Sequence, residues 1–285
     1  MIQSMTGYGK EVIQLPSKTI TIEIKSLNSK GLDLNTRIPS AYREKELEIR
    51  DILAKSLQRG KIDFSIYIEV TGEATTTQLN EIVVKQYIKQ LANVVNGDPV
   101  ELLKMAVRMP DALKTEREEI DEKEYKTILK GIDKALKEIN KYRSDEGRVL
   151  EKDFLERING IAKLLDDVIA VDPERIPAVK ERLRKAISDI QEKVDENRFE
   201  QEMVYYLEKY DITEEKVRLK NHLEYFEETI KSKDSNGKKL GFITQEIGRE
   251  INTIGSKANY ASMQQLVVQM KDELEKIKEQ ALNVL

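Results

Sequence analysis

Met263, Val267, Met270, Leu274, Ile277, Ala281 and Val284 follow an unbroken alternation of four- and three-residue steps. Such a stripe runs along one side of a single helix. It is too narrow to bury much surface alone, so it commits the chain's end to packing against other helices, within the chain or between copies. Ser262 with Gln265 predicts a capping box at its start. Leu240, Ile243, Ile247, Ile251 and Ile254 form a second stripe just before it, and Leu183, Ile187, Ile190 and Val194 a third, coiled-coil-like one. From about Tyr125 onward the pattern is almost wholly helical, with breaks predicted at Pro173 and Pro177.

The first part of the chain has a different period. Ile20, Ile22 and Ile24 alternate with Thr21, Glu23 and Lys25, and Ile62, Phe64, Ile66, Ile68 and Val70 alternate in the same way. Both runs read as half-buried strands. Arg59-Gly60-Lys61 is the turn into the second; residues 32–38 give a third strand ended by Pro39, and Thr6-Gly7-Tyr8-Gly9 an edge strand with glycine kinks. Helices are predicted over 41–57 and over 80–95, the latter capped by Asn80, with breaks at Asn96-Gly97-Asp98-Pro99 and at Pro110. The fold class is therefore α+β. A mixed N-terminal domain with an antiparallel sheet covers residues 1–123, a helical region 124–200, and a long-helix, coiled-coil-like domain 201–285.

A length of 285 residues allows two domains, and 35% charged against 39% hydrophobic residues suits long helices with wide solvated faces. The absence of Cys excludes disulfides and thiolate metal sites. The start lacks a basic segment followed by an apolar block, and no apolar stretch approaches a membrane span, so a soluble cytoplasmic protein is expected. A net charge of −4 argues against a broadly basic nucleic-acid binder. A local basic patch remains, with Lys231, Lys233, Lys238 and Lys239 against Asp234. Thr6-Gly7-Tyr8-Gly9-Lys10 lacks the spacing of a phosphate-binding loop.

Two polar constellations stand out. On the 240–257 helix, Gln245, Arg249, Asn252 and Ser256 form one line and Glu246, Glu250, Thr253 and Lys257 the line beside it. Amides, hydroxyls, carboxylates and cations are mixed here as a polar ligand or a metal would require. A turn between antiparallel helices also needs Gly255 and hydroxyl caps for architectural reasons alone. On the preceding helix, opened by an Asp211/Glu214 cap pair, Asp211, Glu215, Arg218 and His222 are spaced four, three and four. His222 is the only histidine and the natural proton carrier at neutral pH. Such a seam also arises as a ladder of surface ion pairs around a structural histidine.

Several segments carry a family resemblance: Met1 to Gly9, Glu23 to Asn28, Arg59-Gly60-Lys61, Glu146-Gly147, Asp211 to His222, Gly237 to Lys257 and Glu273 to Gln280. Together they resemble the bacterial YicC/YloC family. Gly241 and Gly248 depart from its pattern, which carries an acid at the first position and usually Asn at the second. The resemblance implies a stress-associated, metal-dependent endoribonuclease that closes around RNA as a homo-oligomer, a hexamer being expected.

RNA hydrolysis of that kind needs a divalent cation, Mg²⁺ or Mn²⁺, held by carboxylates. Glu246 and Glu250 are the first candidates as ligands, with Glu214 and Glu215 behind them. Arg249 and Lys257 are candidates to hold phosphate oxygens, and His222 to act as general acid or base. Asn252, Ser256 and Arg218 would contact RNA, and Lys231, Lys233, Lys238 and Lys239 would attract its backbone. A metal-free route, in which the ribose 2′-hydroxyl attacks with help from His222 and a lysine, is the alternative mechanism. An RNA-binding adaptor and an oligomeric interaction scaffold are the alternative functions.

Overall fold

The alternating runs form strands because each places one row of β-branched or aromatic side chains on a single face. A computed structural model describes residues 2–70, 77–115, 121–189, 196–232 and 237–285. Strands β1 (Gly7–Gln14), β2 (Lys18–Leu27) and β3 (Leu32–Arg37) come first. A 3₁₀ turn over Ser40–Lys45 leads into α1 (Glu46–Leu57), and β4 (Gly60–Val70) follows. The sheet order is β1-β2-β4-β3. β1 with β2 and β2 with β4 pair antiparallel, as expected, but β3 pairs parallel to β4. The intervening α1 carries the chain back to the same end of the sheet, which a hairpin cannot do.

A small module follows, with β5 (Thr77–Leu79), α2 (Glu81–Val94), α3 (Pro99–Ala106) and β6 (Leu113–Thr115). Asn80 caps α2 by accepting from the Val83 N–H at 3.5 Å. Among the described residues the buried core of this module is small, with Val84, Ala106 and Ala112 clustered together and Leu102 also buried.

Helix α4 (Glu122–Asp189) is 68 residues long and joins the two main cores. Its first turns, through Ile128, Ile132 and Ile139, pack under the sheet; Phe154, Ile158, Ile161 and Val168 enter the helical core. Contact with β1 is close: a Cβ at Gly9 would lie 2.2 Å from the Ala135 carbonyl oxygen, so the glycine is needed for space. The predicted breaks at Pro173 and Pro177 do not occur, and α4 runs through both. Each proline costs a helix about 3 kcal/mol in isolation. Here Val168, Arg175 and Val179 are buried around them, and those tertiary contacts hold the helix together.

Helices α5 (Glu196–Lys209), α6 (Thr213–Lys231), α7 (Gly237–Ala258) and α8 (Ala261–Ala281) complete the chain. The α7 and α8 stripes are buried throughout. Ile190 and Val194 of the third predicted stripe lie outside the described residues. Gly255 is not a turn residue. It sits inside α7, where a Cβ would come 2.9 Å from a Val267 methyl, so it lets α7 and α8 approach. Positive φ falls on Asn259 instead. α8 accordingly starts at Ala261 without a side-chain cap, two residues too early for the Ser262–Gln265 box.

The chain's two ends close on each other. Met5 N–H donates to the Asn283 carbonyl at 2.7 Å, and Leu285 N–H to the Gln3 carbonyl at 2.9 Å. Beside that closure Arg143 is buried and donates to the carbonyls of Leu57 (3.2 Å), Met5 (3.3 Å) and Arg59 (3.3 Å) and to the Ser26 hydroxyl. Burial pushes its guanidinium down to about 10.

Candidate metal centre on the α6–α7 hairpin

α6 begins where Asp211 stops the preceding turn. Its carboxylate accepts the Thr213 N–H at 3.1 Å and the Thr213 hydroxyl at 2.7 Å. Those two bonds, with Lys257 and Lys216 adding attraction, hold the Asp211 carboxyl below its ordinary value. Glu214 does not reach back to complete a capping box; it pairs with Arg218 one turn on. Leu219, Leu223, Phe226 and Ile230 turn inward from α6 and meet the buried stripe of α7.

The helices run antiparallel, as their contacts require. At one end Lys257 Nζ, near the close of α7, donates to the Asp211 carbonyl at 2.9 Å and to Glu215 at 2.8 Å near the start of α6. Toward the other end Lys239 Nζ lies over the Tyr225 ring, 4.6 Å from its centroid. Between them His222 meets Glu246 and Glu250. One ring nitrogen and one oxygen from each carboxylate lie within 4.8 Å of one another. Glu250 is 4% exposed, His222 half-buried and Glu246 exposed, so the cluster is floored by the hairpin and opens to solvent on one side.

α4 fixes the far end of this hairpin. Arg175, itself buried, donates to the carbonyls of Tyr210 (2.6 Å) and Lys257 (3.0 Å), joining the loop before α6 to the last turn of α7. Asp172 accepts from Arg175 at 3.0 Å and from Lys216 at 2.7 Å. Sequence reasoning missed both. An Asp and an Arg beside two prolines look like solvated loop residues until a helix is seen to pass through them.

The other predicted residues fall away from the cluster. Glu215 is buried against Lys257, and Glu214 is exposed with Arg218. Lys257 is therefore seven residues along α7 from Glu250, about 10 Å along the axis. Arg249, Asn252 and Ser256 occupy the exposed flank of α7, where the Ser256 hydroxyl donates to the Thr253 carbonyl at 2.9 Å. Lys231 pairs with Glu227 at 3.3 Å. Lys238 lines a cleft shared with Lys30, Arg59 and Lys278. Lys239 lies over the ring of Tyr225, one turn beyond His222 on α6, and Lys233 lies outside the described residues. Gly248, one of the two departures from the family's pattern, faces α8, where a Cβ would lie 3.2 Å from Leu274. Sequence reasoning also passed over Phe242. Its signal was an aromatic on the polar flank of α7, four residues before Glu246, where it is 69% exposed.

The chain belongs to the endoribonuclease YicC-like family: the family's N-terminal region matches residues 2–152 and its C-terminal part residues 168–285, which contain the cluster. Among individual relatives, "Probable endoribonuclease YicC" of Clostridioides difficile (strain 630) is 33% identical over 293 residues, spanning 100% of each chain. "Probable endoribonuclease YicC" of Haemophilus influenzae is 30% identical over 287 residues, also spanning 100% of each. Among the described residues no helix is long and apolar enough to cross a membrane.

Proposed function

We propose that this protein cleaves RNA internally with a divalent cation held by His222, Glu246 and Glu250. The observation carrying this reading is the convergence of those donors from two helices onto one solvent-facing point. The donor set fits such an ion. With metal–ligand bonds of about 2.1 Å, donors sharing one ion stand about 3 to 4 Å apart. A cluster spread over at most 4.8 Å is a slightly open version of that arrangement. The imidazole beside two carboxylates favours Mn²⁺ over Mg²⁺, because Mg²⁺ prefers oxygen ligands alone. When bound, the cation supplies charge neutralisation on the scissile phosphodiester and orientation of the nucleophile.

The chain's own residues do the rest. Glu250, buried in the hairpin, and Glu246, on the open side, would hold the cation together with His222 from the facing helix. Arg249 and Lys239 flank the opening as exposed cations for neighbouring phosphates. Lys238 and its cleft of Lys30, Arg59 and Lys278 extend the attraction to the backbone further along.

The metal-free route needs a lysine beside His222; Lys257 is engaged by Glu215, which leaves Lys239, over the Tyr225 ring one turn from His222, as the lysine it would use. Identification of product ends separates the two. A 3′-hydroxyl supports the metal route, and a 2′,3′-cyclic phosphate the attack by the ribose. Self-association belongs to the same reading. The small α2–α3 module exposes Ile82 (73%) and Val94 (87%), a surface suited to another copy. Purified protein, an end-labelled RNA and added Mn²⁺ test the whole. Wild-type protein should give internal cuts and Glu250→Ala none, with assembly mass unchanged. Equal cutting by the variant would remove this cluster from the chemistry.

A further inference from the structure

Phe242 is 69% exposed, with Lys239 one turn before it and Glu246 one turn after on the same side of α7. Side chains three or four residues apart on a helix are neighbours, with Cβ atoms about 5 to 6 Å apart. Across the hairpin, Tyr225 sits one turn beyond His222, and its ring carries the Lys239 ammonium at 4.6 Å. An aromatic face, a cation held in place by a second aromatic, and the candidate metal centre therefore form one continuous strip. A core does not need Phe242, since its helix already buries Leu240, Ile243 and Ile247 on the opposite side.

We infer that Phe242 is a stacking platform for an unpaired base next to the scissile phosphate, and that Lys239 takes the phosphate of the same nucleotide. The inference rests on the RNA-cleaving reading and adds to it a substrate class: single-stranded rather than base-paired RNA. In a duplex the base faces are already stacked on their neighbours, and an exposed phenylalanine gains nothing there. On a single strand each base offers a free face, and stacking on an aromatic side chain tightens binding by about 5- to 100-fold per base. The Lys239–Tyr225 contact keeps the ammonium beside the platform. The backbone charge and the base are then met together, as in other single-strand grooves. A second copy of the chain covering Phe242 is the competing occupant. Lys239, Arg249 and Glu246 around it are exposed charges, which suit a nucleotide better than the dry centre of a protein interface.

The test measures binding of a short unstructured RNA carrying one fluorescent aminopurine, and of a blunt RNA duplex. Full-length protein in the non-cleaving Glu250→Ala background is used, with Phe242 intact or changed. Phe242→Ala should weaken single-strand binding about 5- to 100-fold, with less than about a twofold effect on the duplex. It should also abolish the aminopurine fluorescence change and leave the assembly mass by light scattering unchanged. Phe242→Trp should restore binding. Equal single-strand affinity in Phe242→Ala, an equal loss on both RNAs, or a drop in assembly mass overturns the inference while leaving the nuclease reading in place. If protein with Phe242 intact binds neither RNA, the nuclease reading itself falls.

Discussion

Two acidic positions on the same hairpin, seven residues apart on α6 and on α7, are treated in opposite ways. At one, Glu215 is buried against the Lys257 ammonium at 2.8 Å, and Asp172 and Arg175 brace the same end. At the other, Glu246 and Glu250 converge on His222, and among the described residues neither carboxylate is held in an ion pair. Carboxylates brought close together repel one another unless a cation joins them. In the first pair the fold supplies that cation from its own side chains. In the second it leaves the position open toward solvent. The contrast is one of charge compensation: complete at Glu215, incomplete at Glu246 and Glu250, which under the proposed reading is the position that takes a cation.

The comparison is broken most sharply by Glu250→Gln. RNA cleavage should fall on the order of a thousandfold, about 4 kcal/mol of transition-state stabilisation. Chemical denaturation without metal should show the variant at least as stable as the wild type, because one of two crowded carboxylates has been neutralised. A comparable loss of stability would make Glu250 a structural residue like Glu215. Lys257→Met should do the reverse. Left beside a buried carboxylate without its partner, the hairpin should lose about 2 to 3 kcal/mol, read as a lower denaturation midpoint. Cleavage per folded molecule should remain within about tenfold. Glu215→Leu combined with Lys257→Met should recover most of the lost stability, as replaced ion pairs do. A double variant as inactive as Glu250→Gln would return Lys257 to the chemistry.

The smallest effect is expected at Asp211. Its carboxyl is held below the ordinary value chiefly by the bonds from Thr213, so the ionised form stabilises the fold. That contribution is fully present above the unfolded value, near 3.8, and is lost as pH falls through the lower folded value. Asp211→Asn should cost about 1 kcal/mol at neutral pH, with the gap to wild type closing in acid. A gap that stays constant down to acid pH would show that the charge plays no part.

Much of this was legible in the sequence because period and charge are local properties. The stripes of α7 and α8 fixed their buried faces, and alternation fixed β2 and β4. The polar lines put His222 and Glu250 forward before any geometry was known. What was not legible depended on distant partners. Pro173 and Pro177 read as breaks because the groups that hold Arg175 between them, the Tyr210 and Lys257 carbonyls, come from elsewhere in the chain. Lys257 read as a phosphate ligand because nothing in its own helix reveals that Glu215 lies opposite. Arg143 gave no signal at all. A buried guanidinium held by four acceptors from three segments looks, in sequence, like any charge on a helix.

Binding of Mn²⁺ followed by electron paramagnetic resonance tests the central contrast most directly. Wild-type protein should take up a saturable ion per protomer, with magnetic coupling to an imidazole nitrogen. Glu246→Gln and Glu250→Gln should weaken that uptake at least about tenfold, while the Glu215→Leu/Lys257→Met protein keeps it. Saturable uptake that survives both glutamine variants, or no nitrogen coupling in the wild type, would contradict the assignment of this cluster as the place the fold leaves for a cation.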